Sequence, residues 1–113
     1  MSGITTHVLD TSRGKPAAGV RLRLERVSRD GERTPILAEA VTDENGRVRE
    51  PLPWPRERGT YRLTFDAAAY YRAQGISSFF PEVVITFEVA DPAQDYHVPL
   101  LLSPFGYSTY RGS

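Results

Sequence analysis

Cysteine is absent from the 113 residues, which removes disulfide cross-links and thiolate chemistry from consideration. Excess charge of either sign is absent too, since 14 basic residues balance 14 acidic ones. A nucleic-acid surface normally needs a basic surplus, so no nucleic-acid partner is expected. No stretch approaches the roughly 20 apolar residues that span a bilayer, and no membrane partner is expected. Met1 to Asp10 carry neither a basic n-region nor a long apolar run, so a secretory signal is not expected. The final Arg111-Gly112-Ser113 is not the Ser-Lys-Leu peroxisomal address. A soluble, cytoplasmic protein is the expectation. Only two histidines are present, His7 and His97, and without a third spaced ligand they make a weak zinc case, so no metal is expected. Linkers, low-complexity tracts and internal repeats are missing as well. Residues 1–113 are therefore expected to form one domain with one modest core.

What is present is a series of short alternating runs. Ile4 to Leu9 is β-prone, with Thr5, His7 and Leu9 on one face and Ile4, Thr6 and Val8 on the other. Val20, Leu22 and Leu24 alternate with Arg21, Arg23 and Glu25, a strand with one wet face. Asp30-Gly31 signals a hairpin into Ile36–Thr42, and Asp43-Glu44-Asn45-Gly46 is a second turn, since Asn-Gly tolerates positive φ. Pro51, Pro53 and Pro55 around Trp54 exclude a central strand there. Tyr61, Leu63 and Phe65 mark another strand, and Val83, Ile85, Phe87 and Val89 a further one. Between them Asp66 is an N-cap for a short helix over Ala67 to Gln74, stopped by Gly75. Seven or eight short strands with Gly/Pro turns and one short helix predict an all-β sandwich.

The C-terminal stretch is unusual, because chain ends are commonly polar and loose. Tyr96, Val98, Leu100 and Leu102 alternate with His97, Pro99, Leu101 and Ser103, and Phe105 to Arg111 read as a second, aromatic strand. A terminus of this composition belongs in the fold, against another chain or around a site. Pro99 has no backbone donor, which predicts a sheet edge or a bulge for its strand. Such an edge needs covering, for which self-association is one route.

Chemistry has few places to reside. If the first and last strands lie side by side, His7 and His97 meet, and imidazole is the side chain best suited to proton transfer near neutral pH. Either histidine alone would more often just fill a half-buried strand position. Arg47, beside a tight turn, would alone be a solvated arginine. Arg111 alone would likewise be a solvated arginine; its functional reading is a partner for the Ser113 carboxylate or for an anionic ligand. Ser103 and Ser108 lack a Gly-x-Ser-x-Gly setting, so a serine nucleophile is weakly supported. Tyr107 and Tyr110 either bind a ligand or pack. The residues alone thus reach a self-associating sandwich with a candidate His/His/Arg site and no named function.

Taken together, Thr6-His7-Val8-Leu9-Asp10-Thr11, Asn45-Gly46-Arg47, Phe79-Phe80-Pro81-Glu82, and His97-Val98-Pro99-Leu100-Leu101-Leu102-Ser103-Pro104 leading to Tyr110-Arg111-Gly112-Ser113 resemble the transthyretin-related hydroxyisourate hydrolases. The similarity runs through the whole chain in order, and the final Tyr-Arg-Gly-Ser is its most specific part, separating the enzymes from the hormone carrier of the same fold. The resemblance implies a transthyretin-like (prealbumin-like) sandwich assembled as a homotetramer, with sites in the channel between dimers. It implies hydrolysis of 5-hydroxyisourate, the product of urate oxidation, to 2-oxo-4-hydroxy-4-carboxy-5-ureidoimidazoline. By position, His7, Arg47 and His97 correspond to the catalytic trio. Tyr110 and its tetrapeptide form the substrate-contacting lip, with Ser108, Arg111 and Ser113 counted beside His7 and Arg47 as substrate-binding. No metal or organic cofactor is implied. Which histidine is the base is left open, and the competing readings are a carrier of a small aromatic ligand and a purely structural domain.

Overall fold

The computed structural model describes residues 3–28, 33–48 and 50–113. Eight strands and one helix follow in order: β1 (Ile4–Asp10), β2 (Lys15–Pro16), β3 (Arg21–Val27), β4 (Arg33–Val41), β5 (Gly59–Phe65), α1 (Ala67–Arg72), β6 (Val83–Val89), β7 (Tyr96–Ser103) and β8 (Gly106–Thr109). They form two four-stranded sheets, ordered β2-β1-β7-β8 and β4-β3-β5-β6. The expected sandwich is therefore present, and the expected single helix is there, capped by Asp66, whose carboxylate accepts from the Ala69 N–H at 3.1 Å. The Asp30-Gly31 turn lies outside the described residues.

The alternating runs bury one face each. Ile4, Val8, Val98, Leu100 and Leu102 from one sheet meet Leu22, Leu24, Tyr61, Leu63, Phe65 and Ile85 from the other, all buried. Phe87 is only partly buried, stacked on Tyr61 with ring centroids 6.2 Å apart. Each fully buried apolar side chain of this size contributes roughly 1.5–3 kcal/mol.

Asp10 and Glu25 are the buried charged residues among the described ones, and Asp10 lies deeper. Asp10, fully buried at the end of β1, accepts from the Tyr70 hydroxyl at 2.8 Å, the Tyr71 hydroxyl at 3.2 Å, and the Ser12 hydroxyl and N–H at 2.6 and 3.1 Å. Burial alone would push its carboxyl up, but the Ser12, Tyr70 and Tyr71 hydroxyls and the Ser12 N–H outweigh it and hold Asp10 below its ordinary value. The same burial, with Asp10 alongside, pushes both tyrosine hydroxyls up. Because Tyr70 and Tyr71 lie on α1, this carboxylate ties the first sheet to the helix that follows β5.

Two further features position the site. First, β1 and β7 pair in parallel at the centre of their sheet, with Thr5 opposite His97 and His7 opposite Pro99. Pro99 is thus not at a sheet edge, as its missing donor predicted; it is buried in an internal strand. The reason is local. The β7–β8 ladder runs only from Leu100 to Ser103 and resumes at the His97–Gly112 bridge. Pro99 therefore falls where pairing lapses, and its carbonyl accepts from the Thr109 hydroxyl at 2.6 Å. The edge on that side of the sheet is β8. Second, the Asp43–Gly46 turn docks on β1, where the Val8 N–H donates to the Gly46 carbonyl at 2.8 Å. Gly46 has φ 76°, and a Cβ there would lie 2.3 Å from the Val8 carbonyl oxygen. Only glycine lets the turn come this close.

Candidate active site

His7 and His97 come from adjacent parallel strands and share the sheet's outer face, one pleat apart. Strand geometry places their Cα atoms about 8 Å from each other. The docked turn brings Arg47 into a bridge directly opposite His7. The first and seventh strands thus lie side by side, as the meeting of the two histidines requires, and Arg47 stands next to His7. Both imidazoles are half-buried, and Arg47 is exposed.

A cleft of about 370 Å³ opens here, lined by Gly3, Thr5, Arg47, Asp95, His97, Gly112 and Ser113, a volume within the range of small-molecule sites. Burial holds the His97 imidazole below its ordinary value, and the positive charge of Arg47 and then of His7 acts in the same direction. His97 is accordingly neutral at neutral pH. Its Nδ1 lies 2.8 Å from the Thr5 hydroxyl oxygen. The Asp95 carboxylate accepts from the Gly3 N–H at 2.8 Å, which closes the end of the cleft. Among the described residues no group of three or more His, Asp or Glu side chains could hold a metal ion.

The terminal tetrapeptide is laid along this face. The Gly112 N–H donates to the His97 carbonyl at 2.8 Å. A Cβ on Gly112 would lie 2.5 Å from His97 Cδ2 and 3.3 Å from Pro99 Cγ, so the backbone rests directly on the ring. Gly112→Ala is expected to push the imidazole aside and lower turnover about 10²-fold, the scale of an ångström-sized misplacement. Its thermal midpoint should stay near the parent's, because the terminus lies outside the core. Unchanged turnover would show that the ring's placement does not matter.

The other residues singled out in the sequence are spread more widely. Ser113 lines the cleft with Gly112. Tyr110 and Arg111 line a second cleft of about 310 Å³ that shares His97. Arg111 does not pair with the terminal carboxylate among the described residues. Its guanidinium lies 4.6 Å from the Tyr96 ring centroid and donates to Gln94 Oε1 at 3.0 Å and the Asp95 carbonyl at 3.2 Å. A planar cation over an aromatic face beside two acceptors satisfies it without a carboxylate. Ser108, opposite Leu101 on the edge strand β8, is exposed, and the Ser103 hydroxyl donates to the Gly106 carbonyl at 3.0 Å. Neither serine is brought to a histidine. Thr5 and Asp95 were not singled out in the sequence. The alternation that put Thr5 on the face of His7 was the available signal, but its pairing with His97 depends on a parallel register that no local pattern shows.

The family model for the HIUase/transthyretin family matches residues 4–112. The chain belongs to this family. Within the HIUase/transthyretin family, 5-hydroxyisourate hydrolase of Caulobacter vibrioides is 50% identical over 117 residues, spanning all of both chains. The structure of Klebsiella pneumoniae 5-hydroxyisourate hydrolase is 40% identical with a TM-score of 0.81, covering 100% of this chain and 94% of that one. Sea bream transthyretin, solved in complex with thyroxine, is 33% identical with a TM-score of 0.86, covering 96% and 93%. The transthyretin-like sandwich expected from the sequence is thus the fold of the family. Identity to these two hydrolases exceeds that to the thyroxine-bound neighbour.

Proposed function

We propose that this chain hydrolyses 5-hydroxyisourate in the cleft between β1, β7 and the Arg47 turn, with His7, Arg47 and His97 as the chemical groups. Full-length relatives that carry this activity in their names support the reaction. The observation that supports the site is the parallel pairing of β1 with β7, which gathers two imidazoles and a guanidinium on one face. Opening a cyclic amide needs an activated water, a stabilised oxyanion and a protonated leaving nitrogen. One imidazole takes the proton from water while the other holds the substrate or returns a proton. Arg47, cationic at any working pH, stabilises charge developing on the ring carbonyl. Gly112 and Ser113 form the rim of the cleft, and Tyr110 offers a ring to a planar heterocycle from the neighbouring one.

The active assembly in this proposal is a homotetramer whose sites face a channel between dimers. Support comes from the unpaired edge of β8 and from rings left in water: Phe105 is 71% exposed, Phe79 70% and Tyr107 42%. Isolated exposed rings are ordinary, but an open strand edge beside several of them is a surface for association. Sedimentation equilibrium at micromolar concentration should give four chains; a monomer alone would remove the channel.

The reaction is tested by generating 5-hydroxyisourate from urate with uricase, adding the protein and following the ultraviolet decay. Acceleration over the spontaneous reaction is expected. Tight binding without acceleration would favour a carrier of small aromatic ligands instead.

A further inference from the structure

We propose that Thr5 is a positioning residue that holds His97 in a single neutral tautomer, with the proton on Nε2. The inference rests on reading the cleft as the hydrolytic site. The Thr5 hydroxyl oxygen lies 2.8 Å from His97 Nδ1, and this is the one hydrogen bond of that hydroxyl among the described residues. Thr5 and His97 stand opposite each other in the parallel register of two internal strands, so the contact is set by the centre of a sheet rather than by a loop. A β-branched side chain is stiff at χ1, which fixes the hydroxyl as well as the ring it meets.

A hydroxyl has one proton to give and two lone pairs, and a neutral imidazole has one nitrogen of each kind. Two arrangements are possible. If Nδ1 carried the proton, the Thr5 hydroxyl would accept it and its own hydrogen would be left without a partner in a part-buried site. If Nδ1 is bare, the hydroxyl donates to it, and its lone pairs remain free beside Arg47, a group that only donates. The second arrangement gives the Thr5 hydrogen an acceptor and leaves the other ring nitrogen, Nε2, to carry the proton. The lowered affinity of this half-buried ring for a second proton, with Arg47 and His7 near it, is in keeping with a neutral His97.

The tautomer divides the work between the histidines. A neutral ring with Nε2–H is a poor acid but a good hydrogen-bond donor, so His97 joins Arg47 in holding the carbonyl oxygen as charge develops there. His7 is then the group that moves protons. As the water oxygen bonds to the carbonyl carbon, His7 takes the water proton. When the carbon–nitrogen bond breaks, it passes that proton to the leaving nitrogen.

Nitrogen-15 NMR on the full chain with labelled histidine decides the tautomer directly. Only two imidazoles contribute, and a His7→Asn sample assigns them. The expected spectrum at neutral pH has His97 Nε2 protonated and Nδ1 bare; a protonated Nδ1 would overturn the proposal. In the kinetic arm, Thr5→Val keeps the shape and removes the hydroxyl. It is expected to lower kcat about 10–100-fold, the usual effect of losing the partner that orients a functional histidine, with KM within about twofold. Thr5→Ser should recover most of kcat and the wild-type His97 spectrum. Full kcat in Thr5→Val, or a Thr5→Ser protein as slow as Thr5→Val, would sink the idea. A wild-type protein with no turnover of 5-hydroxyisourate would instead refute the functional reading, while the spectrum would still decide the hydrogen bond.

Discussion

Arg47→Ala is expected to lose roughly 10²–10³-fold in turnover of 5-hydroxyisourate, the range for removing an oxyanion-stabilising group. His7→Ala is expected to lose about 10²–10⁴-fold, the range for a general acid–base group. His97→Ala should fall within the same limits. None of the three should unfold the protein. Arg47 is exposed, and the two histidines lie on the outer face of their sheet, away from the packed face of Ile4, Val8, Val98 and Leu100. Far-ultraviolet circular dichroism and melting should therefore match the parent while the ultraviolet decay slows. Near-parental rates in all three variants would mean that the trio is not the site. The pH profile carries a sign as well. His97 is held below the ordinary imidazole value of 6.5, with burial the largest cause. Activity that needs it neutral is full above that value and falls only as acid drives the ring through its lowered pKa. The acid limb assigned to His97 should thus lie below pH 6.5, and an acid limb well above it would contradict the environment described.

Asp10→Ala should act on stability rather than chemistry. It would strip the carboxylate that accepts from both Tyr70 and Tyr71, leaving two buried hydroxyls without that acceptor. An orphaned buried polar group costs about 1–3 kcal/mol, so a loss of roughly 3–5 kcal/mol is expected, in line with breaking a buried charged network. For a domain of this size that is a drop in Tm on the order of 10–20 °C. Asp10→Asn, which keeps one acceptor, should lose less. The stabilisation also depends on pH. Asp10 has its carboxyl pKa lowered on folding from 3.8, so its contribution is complete above that value and is lost as pH falls through the lower folded value. In urea melts at successive pH values, the parent's advantage over Asp10→Asn should therefore be full above pH 3.8 and shrink as the pH falls below it. Equal melts for parent and Asp10→Ala would show that the tyrosines find other acceptors.

Much of this molecule was legible because its signals are local. Val20 to Leu24, Tyr61 to Phe65 and Val83 to Val89 each alternate over enough residues to give both the strand and its buried face. Asp66 and Asn45-Gly46 declare a helix start and a turn by their own side-chain chemistry. Pro99 misled for a physical reason: a missing donor is harmless inside a sheet wherever the neighbouring ladder lapses, and that lapse depends on how residues 106–112 are laid down. Arg111 misled because an aromatic ring at Tyr96 and two acceptors at Gln94 and Asp95 compete successfully for a guanidinium that the sequence places nearest a carboxylate. Thr5 was invisible because its role comes from a partner far along the chain. The resemblance pointed to His7, Arg47 and His97, whereas their neighbouring positions on one face required the fold.

The parallel pairing of β1 with β7 also sets when the site comes into being. Thr5 and His97 are separated by 92 residues, and a parallel pair cannot be closed by a tight turn. Nearly the whole chain must be looped and paired before the two imidazoles share a face, and closing so long a loop is slow because its entropic cost precedes any reward from contacts. During synthesis the first strand waits for the seventh, since β3, β4 and β5 can form their antiparallel sheet among themselves much earlier. The cleft is consequently among the last parts of the molecule to assemble, and catalytic activity during refolding reports completion of the fold rather than its onset.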